Sequence, residues 1–292
     1  MSPVDNYVII SKKDRYNVMN ERKILPVKSD VVFRLFFADE RNIESLVSFL
    51  KSVLKLSEDD YNEIEIIDPH LLREYNEDKL AIIDVKLKTK SRKIIHIEIQ
   101  LKVTPELKNR IILYDSKLIT EQIGSGDNFD VIKKVVSIVI TNETIIYDSP
   151  NYHHRFTLYD SGAQIELTDI IEIHTLELNK LPKKSDGTEL YDWAMFIAAE
   201  TEEDLSMLTE NNPQIRRAVV KLRELSADER ARDMFERREK ARRDQAAREK
   251  WAVKQNSIEI AKNLIKINLP IEKIVLATGL AKEEVEQLFN AK

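Results

Sequence analysis

Two apolar runs between Ala81 and Lys102, "AIIDVKLKTKSRKIIHIEIQLK", constrain the fold more than any other stretch of the chain. Side chains of a β-strand point to opposite faces in turn, so residues two apart share a face. With this alternation, each run would have one apolar face. The other face is polar and carries Asp84 in the first run and Glu98 in the second. The pattern predicts a β-hairpin with one face on a core.

The two carboxylates meet if the hairpin pairs in one particular register. If Lys88 faces Ile94, Asp84 faces Glu98, with Cβ atoms about 5 Å apart. Like charges at opposed positions destabilise a sheet, and Mg²⁺, which binds one or two carboxylates together with waters and phosphate oxygens, would offset that repulsion. The alternative is the solvated face of an amphipathic ribbon. The residues alone leave both interpretations open.

Helical and strand patterns surround the hairpin and indicate an α/β fold, a mixed sheet flanked by helices. Upstream, helical spacing begins at Ser29 and again after Asn42, a candidate N-cap. Downstream, a helix is predicted with Ile112, Leu113, Leu118 and Ile119 along one side. The predicted helix spans Asn109–Gly124. The predicted strands span Glu63–Asp68, Val131–Thr141 and Ile173–Leu181.

From about Leu190 onward the pattern is helical throughout. Residues 228–251 mix acidic and basic side chains without Gly or Pro, which predicts an exposed, salt-bridged helix. In the final segment Ile260, Ala261, Leu264 and Ile265 form an apolar face. Pro270 would start a second helix and Gly279 would end it, giving the outline of a helix-turn-helix. We therefore predict a core at 1–200, a charged connector at 201–253 and a C-terminal module at 254–292.

Composition limits the classes of function. The chain has 292 residues, a formal net charge of -5 and no cysteine, which excludes disulfides and thiolate metal sites. Net negative charge argues against a general nucleic-acid coat protein, but a local basic path to a site remains compatible with it. No stretch approaches the roughly 20 apolar residues of a membrane span, and the N-terminus lacks a signal-peptide core. We predict a cytoplasmic protein that does not bind membranes.

Asp84, followed by "EIQ" at 98–100, fits the D…(E/D)-x-(K/Q) pattern of the PD-(D/E)XK nuclease superfamily. Together with four further stretches it resembles the recombination-promoting nucleases (Rpn), transposase-type members of that superfamily. Those stretches are "SDVVFRLFF" at 29–37, "RIILYDSKLITEQIGSGDNF" at 110–129, "IEIHTLELNKLP" at 171–182 and the tail at 258–280. The resemblance runs from about Lys28 to the end. Gln100 replaces the hallmark lysine of the superfamily, a substitution common in the Rpn family, and the charged helix stands where Gly-rich repeats are often found.

The resemblance implies a restriction-endonuclease-like fold and an Mg²⁺-dependent or other divalent-metal-dependent DNA endonuclease of low sequence specificity, acting in recombination or transposition. It implies metal ligation by Asp84 and Glu98, with Gln100 orienting water. Asp30 is a candidate auxiliary acid or simply a helix N-cap, and Lys102 is a candidate catalytic cation or a surface lysine. The candidate DNA-binding residues are Lys86, Lys88 and Arg92 from the basic hairpin, and Arg110, Tyr114 and Gln122 from the helix pattern; Gln122 is alternatively a buried hydrogen-bonding group.

A second hypothesis is a catalytically weak DNA-binding or assembly protein that keeps the nuclease fold. The composition of the C-terminal helices is relevant to the DNA-binding part of this hypothesis, because a helix that reads bases needs basic or amide side chains. The stretch "LAKEEVEQLF" at 280–289 instead carries mostly glutamates. That composition favours homo-oligomerisation or regulation by the C-terminal module over base reading.

Overall fold

The computed structural model describes residues 23–70, 84–210 and 212–290. Within these residues a six-stranded mixed sheet has the spatial order β1-β2-β3-β4-β6-β5. The strands β3, β4 and β6 run parallel, and the remaining neighbours pair antiparallel. The strands are β1 Glu65–Ile67, β2 Val85–Lys88, β3 Ile94–Gln100, β4 Val135–Thr141, β5 His153–Asp160 and β6 Ile165–Glu177.

Helices cover both faces of the sheet and continue to the C-terminus. In the described part of the chain, short 3₁₀ turns lie at Glu40–Asn42, Phe129–Val131 and Leu178–Lys180. The α-helices are α1 Asp30–Phe37, α2 Ile43–Val53, α3 Glu58–Asn62, α4 Leu107–Thr120, α5 Glu189–Ala198, α6 Glu202–Leu208, α7 Pro213–Ala227, α8 Glu229–Lys266, α9 Ile271–Thr278 and α10 Lys282–Asn290. The predicted α/β class with a helical C-terminal extension is confirmed.

One face of the sheet carries the main hydrophobic core. Ile95, Ile97 and Ile99 of β3 are buried there beside Val136 and the other inward residues of β4. Aromatic side chains from α1, α2 and α5 fill the space above them, including Phe33, Phe36, Phe37, Phe49, Trp193 and Phe196. The predicted alternation along the second apolar run is therefore confirmed.

The opposite face of the sheet is covered by α4. His96 is fully buried there and Glu98 is only 6% exposed, so the interpretation of this face as solvated is wrong. The predicted helix Asn109–Gly124 begins and ends earlier, at Leu107 and Thr120. Its predicted apolar side is also partly wrong, because Ile112 and Leu113 are 51% and 53% exposed.

The sheet-facing stripe of α4 is instead formed by Leu107, Ile111, Asp115 and Leu118, all of them buried. Apolar periodicity misplaced this face because a carboxylate occupies its centre. A polar side chain at that position is buried only because it has hydrogen-bond partners on the sheet, which a helix pattern alone does not reveal.

The far edge of the sheet differs most from prediction. β5 was not predicted, and β6 begins at Ile165, before the expected Ile173–Leu181. The first half of β6 pairs only with β5, since β4 pairs with residues 171–177. Such a two-stranded ribbon with exposed apolar side chains, Leu167 among them at 81%, lacks the buried face that strand patterns report.

The family-like sequence at 171–182 contains Glu177 and Lys180, which lie at the end of β6 and hold a neighbouring loop in place. Glu177 is fully buried and accepts hydrogen bonds from the backbone N–H groups of Ile145 and Ile146. Lys180 pairs with Glu177 at 3.0 Å and donates to the carbonyl oxygens of Ile146 and Ser149. This ion pair holds the segment that follows β4, and the strand stops because Leu178–Lys180 turns into a 3₁₀ helix.

By packing, the chain divides into two compact units between Phe235 and Glu236. The second unit has its own small core, formed by Ala261, Ile265, Ile274, Leu280 and Val285. The predicted charged helix is longer than expected, since α8 runs from Glu229 to Lys266 and includes the first helix of the C-terminal outline. The predicted domain limits at 200 and 253 stay predictions.

The turns of the C-terminal unit largely follow the sequence signals. Gly279 ends α9 in the left-handed region with φ of 67°, as its position predicted. Pro270 lies one residue before the helix, at the N-cap, instead of at the first helical position. Asn42 precedes α2 without capping it, because its side chain donates to the carbonyl of Phe36 instead. Among the described residues, no helix has the length and apolar character to cross a membrane.

The turn of the β2–β3 hairpin is anchored by one buried carboxylate, Asp60 of α3. Asp60 is 2% exposed and accepts hydrogen bonds from the backbone and hydroxyl of Ser91 and from Lys93 Nζ, at 3.1, 2.6 and 2.8 Å. Burial alone would raise the pKa of Asp60, but the hydrogen bonds from Lys93, Ser91 and Ser57 outweigh burial and lower it. Folding therefore favours the ionised carboxylate.

We predict that Asp60→Ala lowers the free energy of unfolding by about 1–3 kcal/mol at neutral pH, because the turn loses its hydrogen bonds and ion pair to a buried, charged acceptor. A lowered folded-state pKa gives stability that is complete above the ordinary pKa of about 4 and is lost as the pH falls through the folded value. The difference from wild type should shrink in acid. Denaturant unfolding at several pH values measures it. Asp59→Ala, on the exposed side of the same helix, is the control and should change stability little.

Candidate active site

Asp84 and Glu98 lie at opposed positions of the β2–β3 hairpin. Lys88 pairs with Ile94 and Val85 with Ile97, which is the register that brings the two acids together, so Asp84, directly before β2, faces Glu98. Asp84 Oδ2 accepts a hydrogen bond from the backbone N–H of Ile99 at 2.8 Å. The start of β2 is therefore held against the end of β3 by one of the two candidate carboxylates.

Glu98 is a buried carboxyl with an incomplete set of hydrogen bonds. Its Oε2 accepts from Gln100 Nε2 at 3.3 Å, while its buried Oε1 has no hydrogen-bond partner among the described residues. Burial, and next the charge of Asp84, raise the pKa of Glu98 to about 8, against the opposing effects of Arg110 and Gln100. In the absence of a cation this carboxyl holds its proton at neutral pH.

Helix α4 brings a cation and a phenol to the same place. Arg110 and Tyr114 are one helical turn apart, and Arg110 is close enough to Glu98 to lower its pKa. Burial and the charge of Glu98 raise the pKa of Tyr114, so its hydroxyl stays protonated and able to donate at neutral pH. The structure thus brings together Asp84, Glu98, Gln100, Arg110 and Tyr114.

Two predicted DNA-binding residues use their polar groups inside the protein. Lys86 is 7% exposed and pairs with Glu121 at 3.1 Å. Gln122 donates to the carbonyls of Leu118 and Lys133 and accepts from the N–H of Lys133 at 2.7 Å. These contacts support the alternative role of Gln122 as a hydrogen-bonding group within the fold. The ion pair with Glu121 likewise indicates that Lys86 is a polar group that acts within the fold.

The basic turn of the hairpin lies at the opposite end of the strands from the two carboxylates. Lys88 is four residues along β2 from Asp84, roughly 13 Å at about 3.3 Å per residue. Arg92 is exposed in the turn itself, with a positive φ of 65°. The prediction that Lys88 and Arg92 approach the DNA backbone stays a prediction, and such a contact would lie at the far end of the hairpin from the carboxylates.

The remaining candidates are Asp30 and Lys102. Asp30 is the first residue of α1, after Ser29 at the N-cap, so the alternative of Asp30 as a helix N-cap is wrong by one residue; its Oδ1 accepts from the N–H of Val31 at 2.9 Å. β3 ends at Gln100, so Lys102 is an exposed residue of the following bend. The expected sharing of a strand face by Lys102 and Gln100 is wrong, because the strand stops before it.

The donor set fits a divalent cation. Two carboxylates, one of them with a buried oxygen that lacks a partner, match the oxygen ligands of Mg²⁺, which takes its remaining ligands from waters and phosphate. Over the described ranges no group of three or more His, Cys, Asp or Glu residues is placed to hold a metal ion. Among the described residues, Asp84 and Glu98 are the carboxylates placed to hold an ion at this site.

Sequence reasoning missed a buried polar network beside the site. His96 Nε2 lies 2.8 Å from Asp115 Oδ1 and 2.5 Å from Ser137 Oγ, and the Ser137 hydroxyl donates to the same Asp115 oxygen. All three side chains are fully buried. One signal was present in the sequence, since Asp115 lies four residues after Ile111 and three before Leu118, on the helix face that those residues bury.

A mixed sheet with two strand carboxylates in one hairpin, covered by a helix that supplies Arg110, defines a nuclease-type α/β protein. A comparison with known protein families matches residues 27–251 to the PD-(D/E)XK nuclease family transposases. The chain belongs to that family. Comparisons with curated proteins and with solved structures found no match.

We predict that Glu98→Gln stabilises the metal-free protein at alkaline pH. The raised pKa means that the folded state holds a proton that the unfolded state releases near pH 4.5, so wild-type stability falls as the pH rises from about 4.5 to about 8. Each pKa unit corresponds to about 1.4 kcal/mol, so the effect should reach a few kcal/mol. Thermal unfolding in a chelator across this pH range measures it.

The control is Glu65→Gln, at an exposed position of β1, which should leave the pH profile unchanged. If wild type and Glu98→Gln show parallel stability profiles between these pH values, the Glu98 carboxyl is not held in its neutral form by burial.

Proposed function

We propose that this protein is an Mg²⁺-dependent or other divalent-metal-dependent DNA endonuclease of low sequence specificity. The observation that carries the proposal is the opposed pair of Asp84 and Glu98, one of them buried, beneath Arg110. Family membership supports a nuclease or transposase role, and nucleases of this class generally use divalent cations. The role in recombination or transposition is part of the same proposal.

Asp84 and Glu98 would hold the cation. Bound there, a divalent cation supplies Lewis-acid polarisation of the phosphate and a water of lowered pKa. Asp84 is already oriented by the N–H of Ile99, and the free Oε1 of Glu98 is the acceptor still available for a ligand. Burial first, and the charge of Asp84 second, raise the pKa of Glu98 and favour its protonated form in the apoprotein; a bound cation would favour the ionised carboxylate.

The other side chains suit the handling of a phosphodiester. Arg110 offers a fixed guanidinium that pairs well with phosphate oxygens, and Tyr114 offers a protonated hydroxyl. Gln100 cannot remove a proton, since its amide has no basic group near neutral pH, but it can orient a water or contact phosphate. Its present bond to Glu98 holds the amide beside the carboxylates.

Low sequence specificity follows from where the polar groups lie. Contacts to phosphate position a protein on DNA, whereas contacts to base edges read its sequence. Arg110 and Tyr114 are suited to phosphate. The exposed turn that holds Arg92 lies away from the site, and the acidic α10 offers few groups that read bases.

We predict that Asp84→Ala abolishes Mg²⁺-dependent nicking of supercoiled plasmid while the fold is retained, because a metal ligand is lost. Wild type should nick in Mg²⁺ and stop in EDTA, and Asp148→Ala, at an exposed loop position, should behave as wild type. Gel conversion of supercoiled to open-circular plasmid measures the rate. An Asp84→Ala protein that cuts as fast as wild type would remove the carboxylate pair from the reaction.

The second candidate function is a catalytically weak DNA-binding or assembly protein that retains the nuclease fold. The observation in its favour is the C-terminal helix-turn-helix outline, whose helices form a compact unit with its own small core. The exposed apolar side chains of the C-terminal unit, Leu276 at 87% and Ile267 at 69%, accord with homo-oligomerisation through its helices. Measurement of mass in solution would test that part. A cytoplasmic location stays a prediction.

Substitutions at Gln100 separate the two candidates. We predict that Gln100→Lys keeps cleavage with an altered pH and metal preference, since lysine adds a charge beside the phosphate. Gln100→Leu should lose most cleavage, because no donor remains for water or phosphate. Plasmid nicking rates measure both, with exposed Gln245→Leu as the control.

Equal rates for wild type, Gln100→Lys and Gln100→Leu would exclude Gln100 from the site. If none of the three cleaves DNA in the presence of Mg²⁺ or Mn²⁺ although wild type binds it, the second candidate function is the better account.

A further inference from the structure

The contact between α4 and the sheet is polar at its centre, which is unusual for a helix packed on a sheet. The sheet-facing stripe of α4 begins with Leu107 and Ile111 and resumes with Leu118. Two small apolar clusters lie under its two ends, one around Leu107 and Ile111 and the other around Leu118. Between them, at the position where another leucine would extend the stripe, stands Asp115.

Asp115 is bound by side chains from two neighbouring parallel strands. His96 of β3 and Ser137 of β4 are register partners, so their side chains point to the same face. Both bind the same oxygen of Asp115, and all three side chains are 0% exposed. The Asp115 carboxylate is thereby placed over one defined point of the sheet, between β3 and β4.

Such a network is a poor source of stability. Replacing buried charged and polar groups by well-packed apolar ones is often neutral or stabilising, because desolvation offsets much of their attraction. Two polar atoms here, His96 Nδ1 and Asp115 Oδ2, are buried without a hydrogen-bond partner among the described residues. Directional hydrogen bonds instead fix the register of the helix on the sheet, which an apolar stripe on an apolar surface specifies only weakly.

The register of α4 decides where Arg110 and Tyr114 lie. Tyr114 directly precedes Asp115, and Arg110 lies one turn earlier on the same side of the helix. Successive helical residues are about 100° apart, so a small rotation or slide of α4 would carry both groups away from Glu98. His96 and Glu98 belong to one strand, so the network ties the helix to the strand that holds the carboxylate.

We propose that His96, Asp115 and Ser137 form a positioning device that fixes α4 on the sheet so that Arg110 and Tyr114 face the Asp84–Glu98 pair. The inference rests on the proposed nuclease function and deepens it, since these three residues act through Arg110 and Tyr114 and touch no substrate. The ion pair of Lys86 with Glu121, just beyond α4, supports the same placement from β2.

The test is an apolar replacement of the whole network, His96→Leu with Asp115→Leu and Ser137→Ala, in the full-length protein. We expect an unchanged or higher melting temperature together with a kcat for plasmid nicking that falls by up to about 100-fold, because misplacement of about 1 Å has that effect. KM should change less than kcat. Asp115→Asn, which keeps an oxygen acceptor at the same point, should retain most of the activity.

Amide hydrogen exchange supplies a readout that does not depend on cleavage. In the apolar variant, amides of α4 should exchange faster while those of β3 and β4 keep their protection. Ser226→Ala is the control: Ser226 is a buried hydroxyl that accepts from the N–H of Leu25, and its loss should lower stability without lowering activity per folded molecule.

Wild-type kcat in the apolar variant, or stability and activity that fall in parallel, would overturn the positioning role. If wild type cleaves no DNA under any condition, the proposed function fails separately. The exchange measurement then still decides the inference, with faster exchange confined to α4 as the supporting result and unchanged exchange as the contrary one.

Discussion

The burial of Glu98 beside a second acid, Asp84, is the constraint on which the arrangement around the site depends. Their opposed positions in the hairpin put two acids side by side, and the cover of α4 removes the water that would screen them. The apoprotein meets this cost by keeping a proton on Glu98 and by bringing Arg110 near it. A buried carboxyl that is protonated in the absence of a cation and ionises when a cation binds is a suitable ligand for a divalent cation.

The two faces of the sheet are held by different forces. On one face, aliphatic strand residues and a cluster of aromatic side chains pack by the hydrophobic effect, which stabilises without requiring a particular register. On the other, α4 packs through two small apolar clusters and, between them, through hydrogen bonds that have direction. The site lies on the second face, where geometry is specified most closely. The apolar face supplies the stability that a polar contact of this kind lacks.

The ion pair of Glu177 with Lys180 also fixes the end of the sheet at which the candidate site lies. Gln100, Thr141 and Glu177 are register neighbours across β3, β4 and β6, so this ion pair fastens the loop after β4 at the level of the candidate site. A stretch that resembles a family motif therefore has a structural explanation. Its residues shape the end of the sheet, while Asp84 and Glu98 carry the candidate chemistry.

The sequence by itself determined the α/β class and the alternating faces of the two strands of the hairpin, because strand alternation is a local property of the chain. It left the register open, and the structure decided that Lys88 pairs with Ile94 and hence that the two acids meet. The sequence also located α1, β4 and the end of α9 at Gly279 within a few residues. The tertiary structure decided which face α4 buries, where Lys86 and Gln122 direct their polar groups, and that β5 pairs with β6. These depend on partners distant in sequence. A carboxylate such as Asp115 becomes a core residue only because His96 and Ser137, on separate strands, arrive to bind it.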